Sequence, residues 1–143
     1  MEIEKKLNIS LIGLIGSTLL IISEFFPWFS DENLIELFIL ITIVQIENSF
    51  LFLFPLISGS ICLTASILVI YKFDFRIKSV ILSFVGLGFQ FIFFIDYLSQ
   101  EILFLSEARP GFYIGVIGFL LIISNVIYLL TNTEKKGGLD NHQ

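Results

Sequence analysis

The stretch that decides the fold is residues 51–95, which read LFLFPLISGSICLTASILVIYKFDFRIKSVILSFVGLGFQFIFFI. Two apolar runs, 51–71 and 77–95, flank a short turn that carries Lys72, Arg76 and Lys78. Each run approaches or reaches the ~20 residues that a helix needs to cross ~30 Å of hydrocarbon. The short turn makes the two runs neighbours, and its positive charge predicts a cytoplasmic position.

Two further apolar runs extend this pattern to four spans, at about 7–29, 51–71, 77–95 and 112–130. Seven of the eight Lys and Arg residues then fall on one side of the membrane, and only Arg109 lies on the other. The sequence therefore predicts a multi-pass protein of the cell membrane with both termini in the cytoplasm. The fold class expected is all-α, an antiparallel up-down four-helix transmembrane bundle, and the polar tail 131–143 is expected to be disordered.

Composition supports a membrane protein, because 56% of the 143 residues are hydrophobic and 15% are charged. The net charge of −5 divides unevenly between the two sides. The predicted outer connections carry eight acidic residues against Arg109, which gives −7. Such a surface does not suit nucleic acid, although it could attract cations or basic partners.

The first outer connection, residues 24–50, contains a second type of segment. Asn33 and Glu36 have the spacing of a capping box, and the apolar segment 34–46 follows. Thirteen helical residues reach only ~20 Å, so this segment is predicted as a short interfacial helix on the outer side. Its Ile, Val and Thr content leaves an outer β-hairpin as the alternative.

Small residues recur at steps of three and four in the predicted spans, which places each set on one helical face. In lipid, small residues allow close backbone approach and so promote helix association. We therefore expect these positions to form a helix-packing seam. They are Ser10, Gly13, Ser17, Ser58, Cys62, Ser83, Gly86, Gly111, Gly115 and Gly118.

Two further sets of polar residues are candidates for special roles. Gln90 and Asn125 are the amides well inside the spans, and we expect them to hydrogen-bond between helices. Glu24, Asp96 and Arg109 lie at the outer ends of spans, and an ion pair from Arg109 to either carboxylate would form a charge clasp. We expect structural roles for these residues. The competing interpretation is a transport pathway, which buried polar groups also mark.

Residues for catalysis are sparse in this chain. It has one Cys and one His, and no carboxylate pair lies inside a span. The sequence therefore predicts no catalytic residues, no cofactor and no metal site, and we expect a non-enzymatic protein.

The overall layout resembles the tetraspan membrane proteins of the claudin and peripheral-myelin type. Pro27 and Trp28 just outside the first span are similar to the aromatic entry of a claudin's first outer loop, and the small residues 111–118 are similar to the start of its last helix. The glycine-leucine-tryptophan signature and the cysteine pair of claudins are missing from this chain. The resemblance implies architecture, and it does not carry over an outer β-sheet or adhesion.

Two functional hypotheses follow from these observations. The first is a structural or interaction protein, or an accessory subunit, whose partners are the lipid bilayer and other membrane subunits or a second copy of the chain. The alternative is an oligomeric channel or transporter with an acidic outer vestibule.

Overall fold

The computed structural model describes the backbone of residues 2–140 and the side chains of residues 4–132. Throughout residues 2–140 the regular structure is helical, with one isolated β-bridge between Pro27 and Asn33. Four helical segments are long and apolar enough to cross a membrane: Glu4–Ser23, Ile46–Tyr71, Phe73–Glu107 and Pro110–Asn132. The prediction of an all-helical chain with four helices long and apolar enough to span a membrane is therefore confirmed.

The first helix, α1, covers Glu2–Ser23 and ends six residues before the predicted boundary at 29. The amides of residues 24–26 close a turn on the carbonyls of residues 21–23. Pro27 follows this turn, and proline disfavours helical backbone in the residue before it. Because the chain leaves the helix here, Trp28 can fold back onto the end of α1.

The next segment is a helical hairpin, which we call the apolar hairpin (residues 34–53). Its first arm is α2 (Leu34–Val44), and its second is α3 (Ile46–Ser49) followed by a 3-10 turn (Phe50–Leu53). The Asn33 side chain caps the Glu36 N–H and the Glu36 side chain caps the Asn33 N–H, so the predicted capping box forms. No β-hairpin occurs within residues 34–46, because helical hydrogen bonds occupy this backbone.

The second and third spans form a pair. Helix α4 (Phe54–Tyr71) has Pro55 in its first turn, and α5 (Arg76–Phe93) follows after a 3-10 turn (Phe73–Phe75). The third span continues beyond its predicted end at 95 through a π-helical turn (Phe94–Leu98), the short α6 (Ser99–Glu101) and a 3-10 segment (Ile102–Glu107).

The last helix, α7, covers Pro110–Asp140. It runs through most of the tail that was expected to be disordered, and residues 141–143 lie outside the described residues. Extending an existing helix is cheap compared with nucleating one, and Glu134, Lys135 and Lys136 favour helix.

Helix α1 packs against both α4 and α7, while α4 packs extensively on α5 and α5 makes a smaller contact with α7. One buried apolar cluster, centred on Leu20 and Ile122, lies among these helices. A second cluster surrounds Trp28 and Phe93 near the far end of α1.

The basic residues of two different segments meet at one end of the bundle. Lys6 of α1 stacks on the ring of Phe73, which lies in the turn between α4 and α5. We call this the basic end and the opposite one, where α1 ends and α7 begins, the acidic end.

Candidate functional site

The contact between α1 and α7 depends on two glycines at the same level. A Cβ on Gly16 would lie 2.8 Å from the carbonyl oxygen of Gly118, and a Cβ on Gly118 would lie 2.7 Å from that of Gly16. Real Cβ atoms do not approach backbone this closely, so the helix spacing requires glycine at both positions. Gly118 belongs to the predicted seam, whereas Gly16 is not part of it, although it lies three residues after the seam residue Gly13.

The other seam residues also lie between helices. The seam serines and Cys62 are buried, and a Cβ on Gly86 would meet the Cys62 sulfur and the Ser58 carbonyl. The Ser79 hydroxyl donates to the Ala65 carbonyl across the α4–α5 contact. These short distances leave no wide passage along the α4–α5 contact.

Asn125 meets α1 at another glycine of the seam. Its side-chain amide lies so close to Gly13 that a Cβ there would overlap it. The Oδ1 atom of Asn125 is buried and has no hydrogen-bond partner among the described residues.

Gln90 is fully buried, as expected, but its amide differs from the prediction. Neither Nε2 nor Oε1 has a hydrogen-bond partner among the described residues. The expected interhelical hydrogen bond from this amide is therefore not made.

Glu24 points into the bundle instead of toward a cation. The residue is fully buried, and its Oε1 accepts a 2.9 Å hydrogen bond from the Leu56 N–H in the first turn of α4. The first amides of a helix have no partner inside it, and a carboxylate there also interacts favourably with the helix dipole. Glu24 therefore caps α4 from another helix and ties the end of α1 to it.

Arg109 pairs with Asp31 at 2.7 Å, and not with Glu24 or Asp96 as the clasp hypothesis proposed. Backbone hydrogen bonds from Arg109 to Trp28 and from Gly111 to Pro27 bring the 27–33 loop to the start of α7. Asp96 is exposed, and the Glu24 side chain accepts its hydrogen bond from the Leu56 N–H of α4. Both members of the observed pair are solvent-accessible, so its contribution to stability is small.

Trp28, which the sequence places just outside the first span, is the central residue of the acidic end. It is fully buried, and its Nε1–H donates to the Ser23 carbonyl. Its ring contacts Phe93 edge-on at 5.2 Å and lies against Gly111 and Gly115 of α7. The small residues at 111 and 115, assigned to helix packing, therefore make room for an indole.

Large apolar side chains remain uncovered at this acidic end. Ile43 and Val44, at the tip of the apolar hairpin, are each 80% exposed, and Leu103 is 86% exposed. Within the hairpin, α2 buries only Leu34 fully, while Phe38 contacts Phe50 of the second arm. Most of the outer side of α2 thus has no packing partner inside the chain.

Reactive side chains are scattered over the described part of the chain. No group of three or more His, Cys, Asp or Glu residues that could hold a metal occurs among the described residues. Cys62 is free and buried against α5, where its thiol reaches the Ser83 carbonyl at 3.8 Å. Two features remain as candidates for a functional role: the buried Glu24 that caps α4, and the exposed apolar hairpin.

No protein-family model, curated protein or solved structure matches this chain.

Proposed function

We propose that the chain is an antiparallel up-down four-helix bundle of the cell membrane with both termini in the cytoplasm. The close approach of Lys6 to the Lys72–Lys78 turn supports this, since it gathers basic residues at one end. Short cationic segments are retained on the cytoplasmic side. The acidic end then faces outward. We also propose that the architecture is similar to that of claudin-type tetraspan proteins.

Within that topology, we propose a non-enzymatic interaction protein or accessory subunit that binds its partner through the apolar hairpin. The observation that carries this proposal is the exposure of Ile43 and Val44 at the tip of the hairpin. Contiguous exposed apolar surface on a protein marks an interaction site when lipid does not cover it.

Helix length supports a position of the hairpin tip beyond the hydrocarbon core. The continuous helical segment Ile46–Tyr71 has 26 residues, which corresponds to ~39 Å at 1.5 Å per residue. A ~30 Å core measured from Tyr71 at the basic end is crossed by about 20 residues and ends near Phe52. Ile43, Val44 and Ile46 then lie up to ~9 Å further out, where lipid tails do not reach.

Charge around the hairpin indicates the kind of partner. Exposed acidic residues lie on the segments at the acidic end, among them Glu32, Glu36 and Glu107, and Glu47 directly follows the apolar tip. An apolar centre with a polar rim is the usual organisation of a protein interface. The partner expected is therefore a membrane subunit whose outer surface has an apolar centre and a basic rim.

Photo-crosslinking in the native membrane tests this proposal. Cys62 is the sole cysteine, so a Cys62→Ala chain accepts single cysteines carrying a photoreactive maleimide. Ile43→Cys is expected to give a discrete protein adduct, identified by mass. The matched control is Ile117→Cys, half exposed on α7 within the fourth span, which should give lipid adducts only.

The product at Ile43 decides between the possibilities. An adduct with a different subunit supports the accessory role, and an adduct of twice the chain mass supports self-association. Self-association would also make the alternative, a pore between chains, testable by cation flux in liposomes. Lipid adducts alone at Ile43 would place the hairpin in the bilayer interface and overturn the proposal.

A further inference from the structure

The contact between α5 and α7 opens into an apolar groove of about 380 Å³. Its walls include Phe84, Leu87, Gly88 and Phe91 of α5, and Phe119 and Leu130 of α7. A Cβ on Gly88 would meet nothing within 4 Å, in contrast to the close contacts at Gly16, Gly86 and Gly118. No contact inside the chain requires glycine at position 88, and its lack of a side chain helps to keep the groove open.

The groove covers half of the bundle and not its full length. On α7 it runs from Phe119 to Leu130, eleven residues, or ~16 Å along the helix axis. Toward the acidic end it is limited by the edge-on contact of Phe94 with Phe119, whose ring centroids are 5.0 Å apart. A groove of ~16 Å matches one leaflet of a ~30 Å hydrocarbon core, whereas a membrane-spanning partner helix would use the full depth.

Positive charge lies on α5 beyond the groove, toward the basic end, where the Arg76 guanidinium stacks on the Phe73 ring at 5.4 Å. Arg76, Val80 and Phe84 follow one another at steps of four on α5, so they share a helical face. Arg76 precedes Phe84 by ~12 Å toward the basic end. The segment 72–78 carries three basic residues and Asp74, a net charge of +2, which complements an anionic headgroup.

We propose that this groove binds one acyl chain of an anionic phospholipid from the leaflet at the basic end, with Arg76 near the headgroup phosphate. This site is separate from the apolar hairpin and goes beyond the proposed interaction function. An acyl chain fits because the groove is apolar, reaches to mid-membrane and has its basic residue at the membrane surface. A partner helix or a second copy of the chain in the groove is an outcome against the proposal.

The test uses full-length protein in nanodiscs of equal parts phosphatidylcholine and phosphatidylglycerol, transferred to mild detergent for native mass spectrometry. We expect one retained phosphatidylglycerol per chain. Gly88→Leu should abolish this retention because the side chain fills the groove. Val85→Leu is the control, since Val85 is half exposed on another face of α5 and this variant places the same leucine side chain outside the groove.

A second pair of variants tests the headgroup contact. Arg76→Gln should weaken phosphatidylglycerol retention about fivefold, the effect of one basic residue near a lipid surface. Lys78→Gln, which removes an equal charge from another face of α5, should change it little. Retention unchanged in both Gly88→Leu and Arg76→Gln would overturn the proposal, as would equal retention of phosphatidylcholine. A dimer mass that disappears in Gly88→Leu would identify the groove as a contact between copies instead.

Discussion

At the scale of single residues, several polar and small side chains of this protein make specific contacts between helices. Glu24 replaces the water that would otherwise hydrogen-bond the first turn of α4, and the glycines at 16 and 118 set the distance between α1 and α7. Removing the Glu24 acceptor would leave a buried N–H that the bilayer interior cannot satisfy, whereas a side chain at either glycine would push α1 and α7 apart. Two predictions follow at this scale.

Glu24→Ala should destabilise the protein by about 1–3 kcal/mol, because the buried Leu56 N–H loses its acceptor. Glu24→Gln keeps a side-chain oxygen at the same distance and should cost less. Thermal unfolding of both variants in the same detergent gives the comparison. Equal melting temperatures for the alanine and glutamine variants would show that the cap does not contribute.

Gly118→Ala should destabilise by about 1–3 kcal/mol, because its Cβ would push against the Gly16 carbonyl. Gly88→Ala is the matched control, since it lies in a span with open space around it. Alanine is the better helix former, so this variant should unfold at the same or a slightly higher temperature. A stable Gly118→Ala protein would mean that α1 and α7 separate without penalty.

At the scale of elements, the loop from Glu24 to Asn33 is anchored to α5 and α7 by the buried Trp28 and by backbone hydrogen bonds. Trp28 fills the space between the end of α1, α5 and the first turns of α7, and two backbone hydrogen bonds attach the loop to residues 109 and 111. The loop is therefore a fixed connection and not a free linker between α1 and the apolar hairpin.

Trp28→Ala should cost about 3–5 kcal/mol, the usual loss for a large buried aromatic side chain. Phe25→Ala in the same loop should be nearly neutral, because Phe25 is largely exposed. Trp28 is also the only tryptophan, so its fluorescence reports on the loop directly. Strong quenching by acrylamide in the folded wild type would contradict the burial of the indole.

The elements could be predicted from sequence to different degrees. Hydropathy defines the four spans because each must cover the hydrocarbon core, and Asn33 and Glu36 define the start of α2 because capping is local. The burial of Trp28 could not be predicted, because it depends on the return of the chain at Pro27 to the end of α1. Glu24 and Arg109 were paired wrongly because sequence shows charge but not the direction in which a side chain turns.

At the scale of the whole molecule, the two ends of the bundle differ in charge and in the segments that connect the helices. The basic end has short turns, while the acidic end has the Trp28 cluster, the apolar hairpin and the exposed Leu103. This asymmetry is the basis of the orientation that we propose across a bilayer.

Two exposed positions test that direction. In a Cys62→Ala chain, Leu103→Cys at the acidic end should react with a membrane-impermeant thiol reagent added to intact cells. Tyr71→Cys at the basic end is equally exposed, at 85% against 86%, and should react only after the cells are opened. Labelling of both positions from outside, or of Tyr71→Cys alone, would contradict the proposed topology.

The pairing of α1 with α7 has a consequence for biosynthesis. Gly118 leaves the ribosome 102 residues after Gly16, an interval of ~5–20 s at ordinary elongation rates. Throughout that interval the face of α1 that carries Gly16 lacks its packing partner, α7. Helices α4 and α5 can pair through their short turn as soon as both are inserted, whereas α1 stays open to other small-residue helices. The nascent chain is therefore most open to wrong partners just before α7 is inserted.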